Sequence, residues 1–390
     1  MSKIPLMKNT FYNEEEVKQN LAKFIIESSV LSMNKKCIEF EIEFAKYQNT
    51  SHATLFNSGG SANLAILQAL KNLGRLKPGA KVGFSALTWS TNVMPIIQMG
   101  FEPVPIDIDI STLNVMSENL KERLNEVKLD AFFVTNILGF LGDLDKISQI
   151  CNENNILLIE DNCESLGAEL PKGKSGNFGV ASSFSFYVAH HMSTVEGGSA
   201  CSSDEELTEM LRIVRANGWD RNLTTAQQNK WRSKYNIDQF FAMYSFYDLG
   251  YNLRPTDITG FVGLEQLKYI DKVIELKTYN YEFVNQTIKS NPDLIEINYS
   301  HMSKLSPFAI PIVCKNKEIR DKFINRFINN EIEVRPMIAG NIQNQPFYSK
   351  YVSTIYDLPN TDFITKKGFY CGNFPELSKE QLDLYTKCLK

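Results

Sequence analysis

Residues 53–74, ATLFNSGGSANLAILQALKNLG, pass from a short apolar run through a glycine turn into a longer amphipathic run. The first run suits a strand, and the apolar spacing after Gly60 suits a helix. The same alternation repeats downstream: KVGFSAL (81–87) and TNVMPIIQMG (91–100), EPVPIDI (102–108) and SENLKERLNEV (117–127), DAFFVTNIL (130–138) and DLDKISQICNENN (143–155). ILLIED (156–161), SSFSFYV (182–188) and GGSACSS (197–203) continue it as strands. This rhythm predicts an α/β domain over residues 1–250, with an N-terminal helical segment and a mainly parallel sheet covered by helices. Beyond it, residues 253–288 read as one long helix or a pair. FAIPIVC (308–314), KEIRDKFINRFINN (317–330) and IEVRPM (332–337) read as strand, helix and strand. Residues 251–390 are therefore expected to form a smaller α+β domain. No repeat or Pro-rich linker separates the two, so close packing is expected.

Bulk properties exclude several classes of partner. The 390 residues are 43% hydrophobic and 22% charged, and 45 acidic against 41 basic residues give a formal charge of -4. That balance is too mild for a nucleic-acid or anionic-lipid surface. The amino-terminal stretch turns acidic before any apolar run of signal-peptide length, and no stretch approaches the roughly 18 apolar residues of a membrane span. A cytoplasmic protein acting on small molecules is the expectation. The seven cysteines are scattered, with no C-x-x-C pair or metal-ligand spacing, and read as reduced structural thiols.

Three segments carry candidate chemistry. In FNSGGSANLAILQAL (56–70) the strand breaks at Ser58, Gly59 and Gly60, and a helix begins near Ser61. Glycines let backbone amides approach an anion at the positive end of a helix, although plain helix initiation gives the same pattern. ILLIEDNCESLGA (156–168) ends a buried-looking strand in Glu160, Asp161 and Glu164, where α/β active sites are built, though a single acid there is often a cap or a solvated charge. SFSFYVAHHMSTVEGGSA (183–200) sets His190 beside His191. Adjacent strand residues point to opposite faces and no third ligand is in register, so no metal is expected. A catalytic base and a structural pair both fit.

These segments, in this order and spacing, resemble the DegT-type sugar aminotransferases, pyridoxal-phosphate enzymes of the aspartate-aminotransferase fold. Trp89 in LTWSTNV, the Gly-Asn-Phe-Gly run at 176–179, Glu-Gly-Gly at 196–198 and GYNLRPTDITGFVGLEQL (250–267) extend the resemblance over nearly the whole chain. It implies fold type I, with a large domain holding the mainly parallel sheet and a smaller carboxyl-terminal domain. It also implies cofactor-binding roles. Gly60, Ser61 and Ser185 would hold the phosphate, and Trp89 would stack on the pyridine ring. Asp161 would pair with the ring nitrogen, with Glu164 near the ring hydroxyl. Asn252 would reach the neighbouring subunit's phosphate, which implies a homodimer with shared sites, and Arg254 would bind a substrate anion.

One departure from the aminotransferase pattern governs the expected reaction. The family's Schiff-base lysine lies five residues after the Ser185 position, which is His190 here, and no lysine occurs between Lys174 and Lys230. With Asp-Asn-Cys-Glu-Ser at 161–165 and the paired histidines, this resembles the nucleotide-sugar 3-dehydratases of deoxysugar pathways. An imidazole forms no stable Schiff base, so the resemblance implies pyridoxal 5'-phosphate held noncovalently and used as pyridoxamine 5'-phosphate. L-glutamate would regenerate the amine form and ammonia would be released. The implied substrate is a nucleotide-linked 4-keto-6-deoxy sugar, hexose or heptose, with GDP the expected nucleotide. His190 would move the protons, and His191 would orient it or meet the sugar. The cysteine pattern speaks against the related iron-sulfur branch. An aminotransferase with a histidine base and an inactive regulatory homologue are the alternatives.

Overall fold

The computed structural model describes residues 4–390, so the first three residues of the expected large domain lie outside the described residues. Its main sheet contains β1 His52–Phe56, β2 Lys81–Ser85, β3 Glu102–Ile106, β4 Ala131–Thr135, β5 Leu157–Asp161, β6 Ala181–Ser185 and β7 Gly198–Ser202. Their spatial order is β1-β7-β6-β5-β4-β2-β3. Strands β2 to β6 pair in parallel, while β7 runs antiparallel to both β6 and β1. Every residue of β4 is buried, as expected of a strand covered on both faces. Its side chains alternate, with Ala131 and Phe133 entering one core and Phe132 and Val134 the other.

Helices α1 Glu14–Glu27 and α2 Lys35–Gln48 precede the sheet, α3 Gly59–Asn72, α4 Ser90–Gln98, α5 Ser117–Glu126 and α6 Leu144–Glu153 connect its strands, and α7 Glu205–Arg215 follows its last strand. Ser58 caps α3 by accepting a 3.1 Å hydrogen bond from the Ser61 amide, a contact worth about 1 kcal/mol. The carboxyl ends of β5 and β6 and the amino ends of α3 and α4 meet on one side of the sheet. In open α/β sheets this is where ligand crevices form.

After α8 Thr225–Lys234, the segment readable as one helix or two is a pair, α9 Asp257–Leu267 and α10 Ile270–Ser290. Helix α9 packs on α2. Asp257 Oδ1 accepts from the amides of Asn34 and Cys37, both at 3.0 Å. A second sheet follows, made of β8 Leu294–Ile295, β9 Ile310–Cys314, β10 Val334–Pro336 and β11 Gly368–Cys371 in the antiparallel order β8-β9-β11-β10. Helices Lys317–Asn329 and Lys379–Leu389 accompany it, so the expected strand, helix and strand are present. The two sheets are stitched at Gly139, where φ is +88° and a Cβ would stand 1.8 Å from the Ser306 carbonyl oxygen. The Phe308 amide donates to the Leu138 carbonyl at 2.9 Å in the same seam. Among the described residues, no helix is long and apolar enough to cross a membrane.

The strand expected over 182–188 stops at Ser185, and the histidine pair lies in the loop beyond it. The His190 amide donates to the Tyr187 carbonyl at 3.1 Å, and Ala189 has φ +85°, so the chain turns where a strand would continue. Val195 closes the loop at φ +70° with its side chain 51% exposed. A β-branched residue is strained there, and glycine is not. Val195→Gly should therefore raise stability by about 1 kcal/mol in urea unfolding, since little burial is lost.

Candidate active site

A cavity of about 580 Å³ opens at the carboxyl end of the main sheet. Gly60, Trp89, Asp161, Glu164, Ser185 and His190 all line it, so six of the ten residues to which the resemblance gives a role converge. The rim at α3 offers free backbone amides. The first-turn amides of Gly59 and Gly60, which no helical carbonyl can reach, stand at the positive end of the helix. A Cβ on Gly59 would meet Ser185 Cβ at 2.7 Å, and one on Gly60 would meet Thr91 Cγ2 at 2.9 Å. Glycine at both positions keeps the cradle open. Ser61 stands apart from it, because its amide is taken by Ser58 and its hydroxyl donates to Asn57 Oδ1 at 2.5 Å.

Asp161 ends β5 with its carboxylate fixed on both oxygens. Oδ2 accepts from Asn63 Nδ2 at 2.9 Å and from Asn92 Nδ2 at 2.7 Å, and Oδ1 accepts from the Cys163 amide at 2.9 Å. Its neighbour Glu160 points to the opposite face and is fully buried. There it accepts from the amides of Gly176, Phe178 and Gly179 at 2.6, 2.7 and 2.9 Å. Burial raises the Glu160 carboxyl despite these donors. The Gly-Asn-Phe-Gly run is thus a structural loop tied to the back of the strand. Glu164 returns to the cavity, accepting from the Leu138 amide at 2.9 Å. Burial pushes its carboxyl up to about 7, against the opposing pull of that amide.

His190 forms part of the cavity wall, with Phe308 edge-on at 5.1 Å between ring centroids and Tyr187 at 6.1 Å. Its Nδ1 is buried with no hydrogen-bond partner among the described residues. Burial, then the nearby Lys277 ammonium, push the imidazole down to about 4. Trp89, at the start of α4, is 57% exposed and offers an indole as another wall.

His191 faces away from this cavity. It is buried, with Nε2 donating to the Ser306 carbonyl at 2.9 Å and Nδ1 without a partner among the described residues. Charging it would add a proton at Nδ1 that nothing accepts, and burial holds it well below the ordinary 6.5. A group depressed in the folded state gives stability that is present above about pH 6.5 and lost as pH falls. His191→Asn should therefore shrink the fall in thermal midpoint between about pH 7 and about pH 5 relative to the parent chain. Asn252 and Arg254 do not line the cavity of this chain. They lie together near the surface, with Arg254 Nε donating to Asn252 Oδ1 at 3.2 Å.

A sequence model of the DegT/DnrJ/EryC1/StrS aminotransferase family matches residues 12–390. The chain belongs to this family. Within the family, it is 32% identical over 394 residues to the GDP-4-keto-6-deoxy-D-mannose 3-dehydratase of Escherichia coli O55:H7, with 100% of each chain covered. A solved structure of the E. coli GDP-4-keto-6-deoxy-D-mannose 3-dehydratase with bound hydrated PLP matches at TM-score 0.90 and 30% identity, covering 100% of both chains. A structure of GDP-4-keto-6-deoxymannose 3-dehydratase with a trapped PLP-glutamate geminal diamine matches at the same TM-score of 0.90 and 30% identity, again over 100% of each. The fold is that of the fold type I pyridoxal-phosphate enzymes, as the resemblance implied.

Several site residues escaped the sequence reading. Asn63 and Asn92, which clamp Asp161, sit inside apolar helical runs, and a lone buried amide on such a run was the available signal. Phe308, Tyr370 and Asn373 reach the cavity from the second sheet and the segments flanking its strands, and carry no local pattern that marks them.

Proposed function

We propose that this chain is a 3-dehydratase that uses pyridoxal and pyridoxamine 5'-phosphate to remove the carbon 3 hydroxyl of a GDP-linked 4-keto-6-deoxy sugar, with glutamate as amino donor. The observation that carries this reading is His190 in the cavity wall, where aminotransferases of the family carry lysine, beside Gly60, Trp89, Asp161, Glu164 and Ser185. The residues present fit the cofactor. The opening that Gly59 and Gly60 preserve against Ser185 and Thr91 suits a phosphate, and Asp161 is clamped in the orientation a ring N–H needs. When bound, the cofactor would supply an amine able to condense with the 4-ketone and a ring able to act as an electron sink for loss of the neighbouring hydroxyl.

The chain's residues divide the remaining work. The Gly59 and Gly60 amides, the α3 dipole and Ser185 would hold the phosphate without a covalent tether. Asp161, kept in place by Asn63 and Asn92, would pair with the pyridine nitrogen, Trp89 would cover the ring and Glu164 would meet its hydroxyl. His190 is neutral across the physiological range, so a free imidazole nitrogen can accept a proton and return it to the departing hydroxyl.

We also read the assembly as a homodimer that shares its sites. Phe240, Phe241, Met243, Tyr244, Phe246 and Leu249 are exposed just ahead of Asn252 and Arg254, an apolar surface of the kind subunit contacts cover. Sedimentation at several concentrations tests this, and a persistent monomer would refute it. Cytoplasmic sugar-nucleotide metabolism is the setting this reading implies.

The function is tested with a panel of nucleotide-linked 4-keto sugars, six- and seven-carbon, each incubated with glutamate and cofactor. Ammonia and a product lacking the carbon 3 oxygen are expected from the GDP-linked members. A stable amino sugar in stoichiometric yield would assign an aminotransferase instead.

A further inference from the structure

Behind His190 lies a second, smaller cavity of about 40 Å³, lined among others by His190, His191, Lys277, Asn373 and Glu376. Lys277 comes from α10, far along the chain, and is only 2% exposed. Among the described residues its ammonium makes no hydrogen bond or ion pair, and its contact is the face of Phe308, 5.4 Å from the ring centroid. The same phenyl ring presents itself edge-on to His190 at 5.1 Å and lies 6.3 Å from His191. Lys277, Phe308 and His190 therefore form one stack that runs from the small cavity to the large one.

An ammonium buried without a hydrogen-bond partner is costly, and its field acts strongly on nearby titrating groups. The charged and titratable groups around it come from several elements: Glu164 after β5, His190 and His191 after β6, Glu376 before the last helix, and Tyr12 before α1. A cation at this position disfavours imidazolium and favours carboxylate.

We propose that Lys277 is a positioning residue for the reaction: its ammonium, held against Phe308 behind the His190 ring, opposes the charging of that imidazole and so supports it as the proton acceptor. Lys277 lines the small cavity and not the large one, so it acts through His190 and does not touch the reacting atoms. The electrostatics are consistent in sign. Lys277 ranks second only to burial in pushing His190 down. Burial lowers Lys277 itself to about 7, with Glu376 and Glu164 pulling the other way. Below neutrality, where His190 would titrate, the ammonium is fully charged and repels the incoming proton.

The meaning of this device rests on the dehydratase reading, but its test does not. The four histidines of the full chain allow NMR titration with labelled histidine, assigned through His190→Asn, with and without pyridoxamine phosphate. In Lys277→Met the His190 midpoint should rise by about one unit, roughly tenfold in proton affinity, whereas Lys277→Arg should leave it near the parent value. The acid limb of kcat/KM in the loaded enzyme should move with it. An unmoved His190 midpoint in Lys277→Met overturns the proposal, even if thermal stability falls, because that outcome marks a merely structural lysine. Should Lys277→Met fail to fold, Lys277→Gln is read by the same criterion. A chain that proves inactive on every sugar would still report the midpoint, so failure of the dehydratase reading is distinguishable from failure of this one.

Discussion

His190→Asn should leave the chain folded and cofactor-competent while lowering dehydration by roughly 10²–10⁴-fold, the worth of one positioned acid–base group. Asparagine matches the imidazole in polarity and approximate reach but cannot accept a proton. The cradle glycines, the Asp161 clamp and Trp89 lie on other segments, so absorbance of the bound cofactor and the thermal midpoint should stay close to those of the parent. The measurement is single-turnover ammonia release with the keto sugar in excess. Full activity in this variant would remove His190 from the proton-moving role and return attention to Glu164, whose carboxyl also titrates near neutrality at about 7.

Glu41→Ala should destabilise the chain by about 3–5 kcal/mol, because it leaves a buried guanidinium without its counter-charge. Arg215 is 1% exposed and donates from Nη1 to Glu41 Oε1 at 2.5 Å and to the Leu55 carbonyl at 2.7 Å. Glu41 Oε1 also accepts from the Leu55 amide at 2.8 Å. This knot joins α2, β1 and α7. Its effect reaches the site, since the Leu253 amide donates to the Arg215 carbonyl at 3.0 Å and the Asn57 amide to the Leu253 carbonyl at 3.0 Å, immediately before the glycine cradle. Urea unfolding monitored by circular dichroism reads the loss. The double variant Glu41→Ala, Arg215→Met should recover much of it, as replacing both partners of a buried pair removes the unpaired charge. A single-variant loss under about 1 kcal/mol would show that water reaches the guanidinium.

Most of the fold was legible because its signals are local. Short apolar runs alternating with helical apolar spacing mark β1 to β5 and the helices between them, and Ser58-Gly59-Gly60 marks the start of α3 through the chemistry of a cap and a turn. Asp161 and His190 were legible for a different reason, since each is one residue type at a fixed distance from a recognisable motif. The strand assigned across 182–188 failed after Ser185. Alternating aromatic residues continue there, but the backbone has already turned, and the hydrogen bonds that turn it are invisible to periodicity.

The sequence by itself therefore determined the order of strands and helices, the anion cradle, the carboxylate at the end of β5 and the absence of a Schiff-base lysine after Ser185. Only the tertiary structure decided which acids face the cavity. Glu160 and Asp161 are adjacent in the chain, yet the pleat sends the first to a structural loop and the second to the site. It also decided that His190 lines both cavities while His191 lines only the smaller one, that Asn63 and Asn92 converge on one carboxylate, and that a lysine stands behind the histidine after all. These are contacts between residues tens to hundreds of positions apart. They are fixed by the strand order β1-β7-β6-β5-β4-β2-β3 and by the seam with the second sheet at Gly139, which no local spacing encodes.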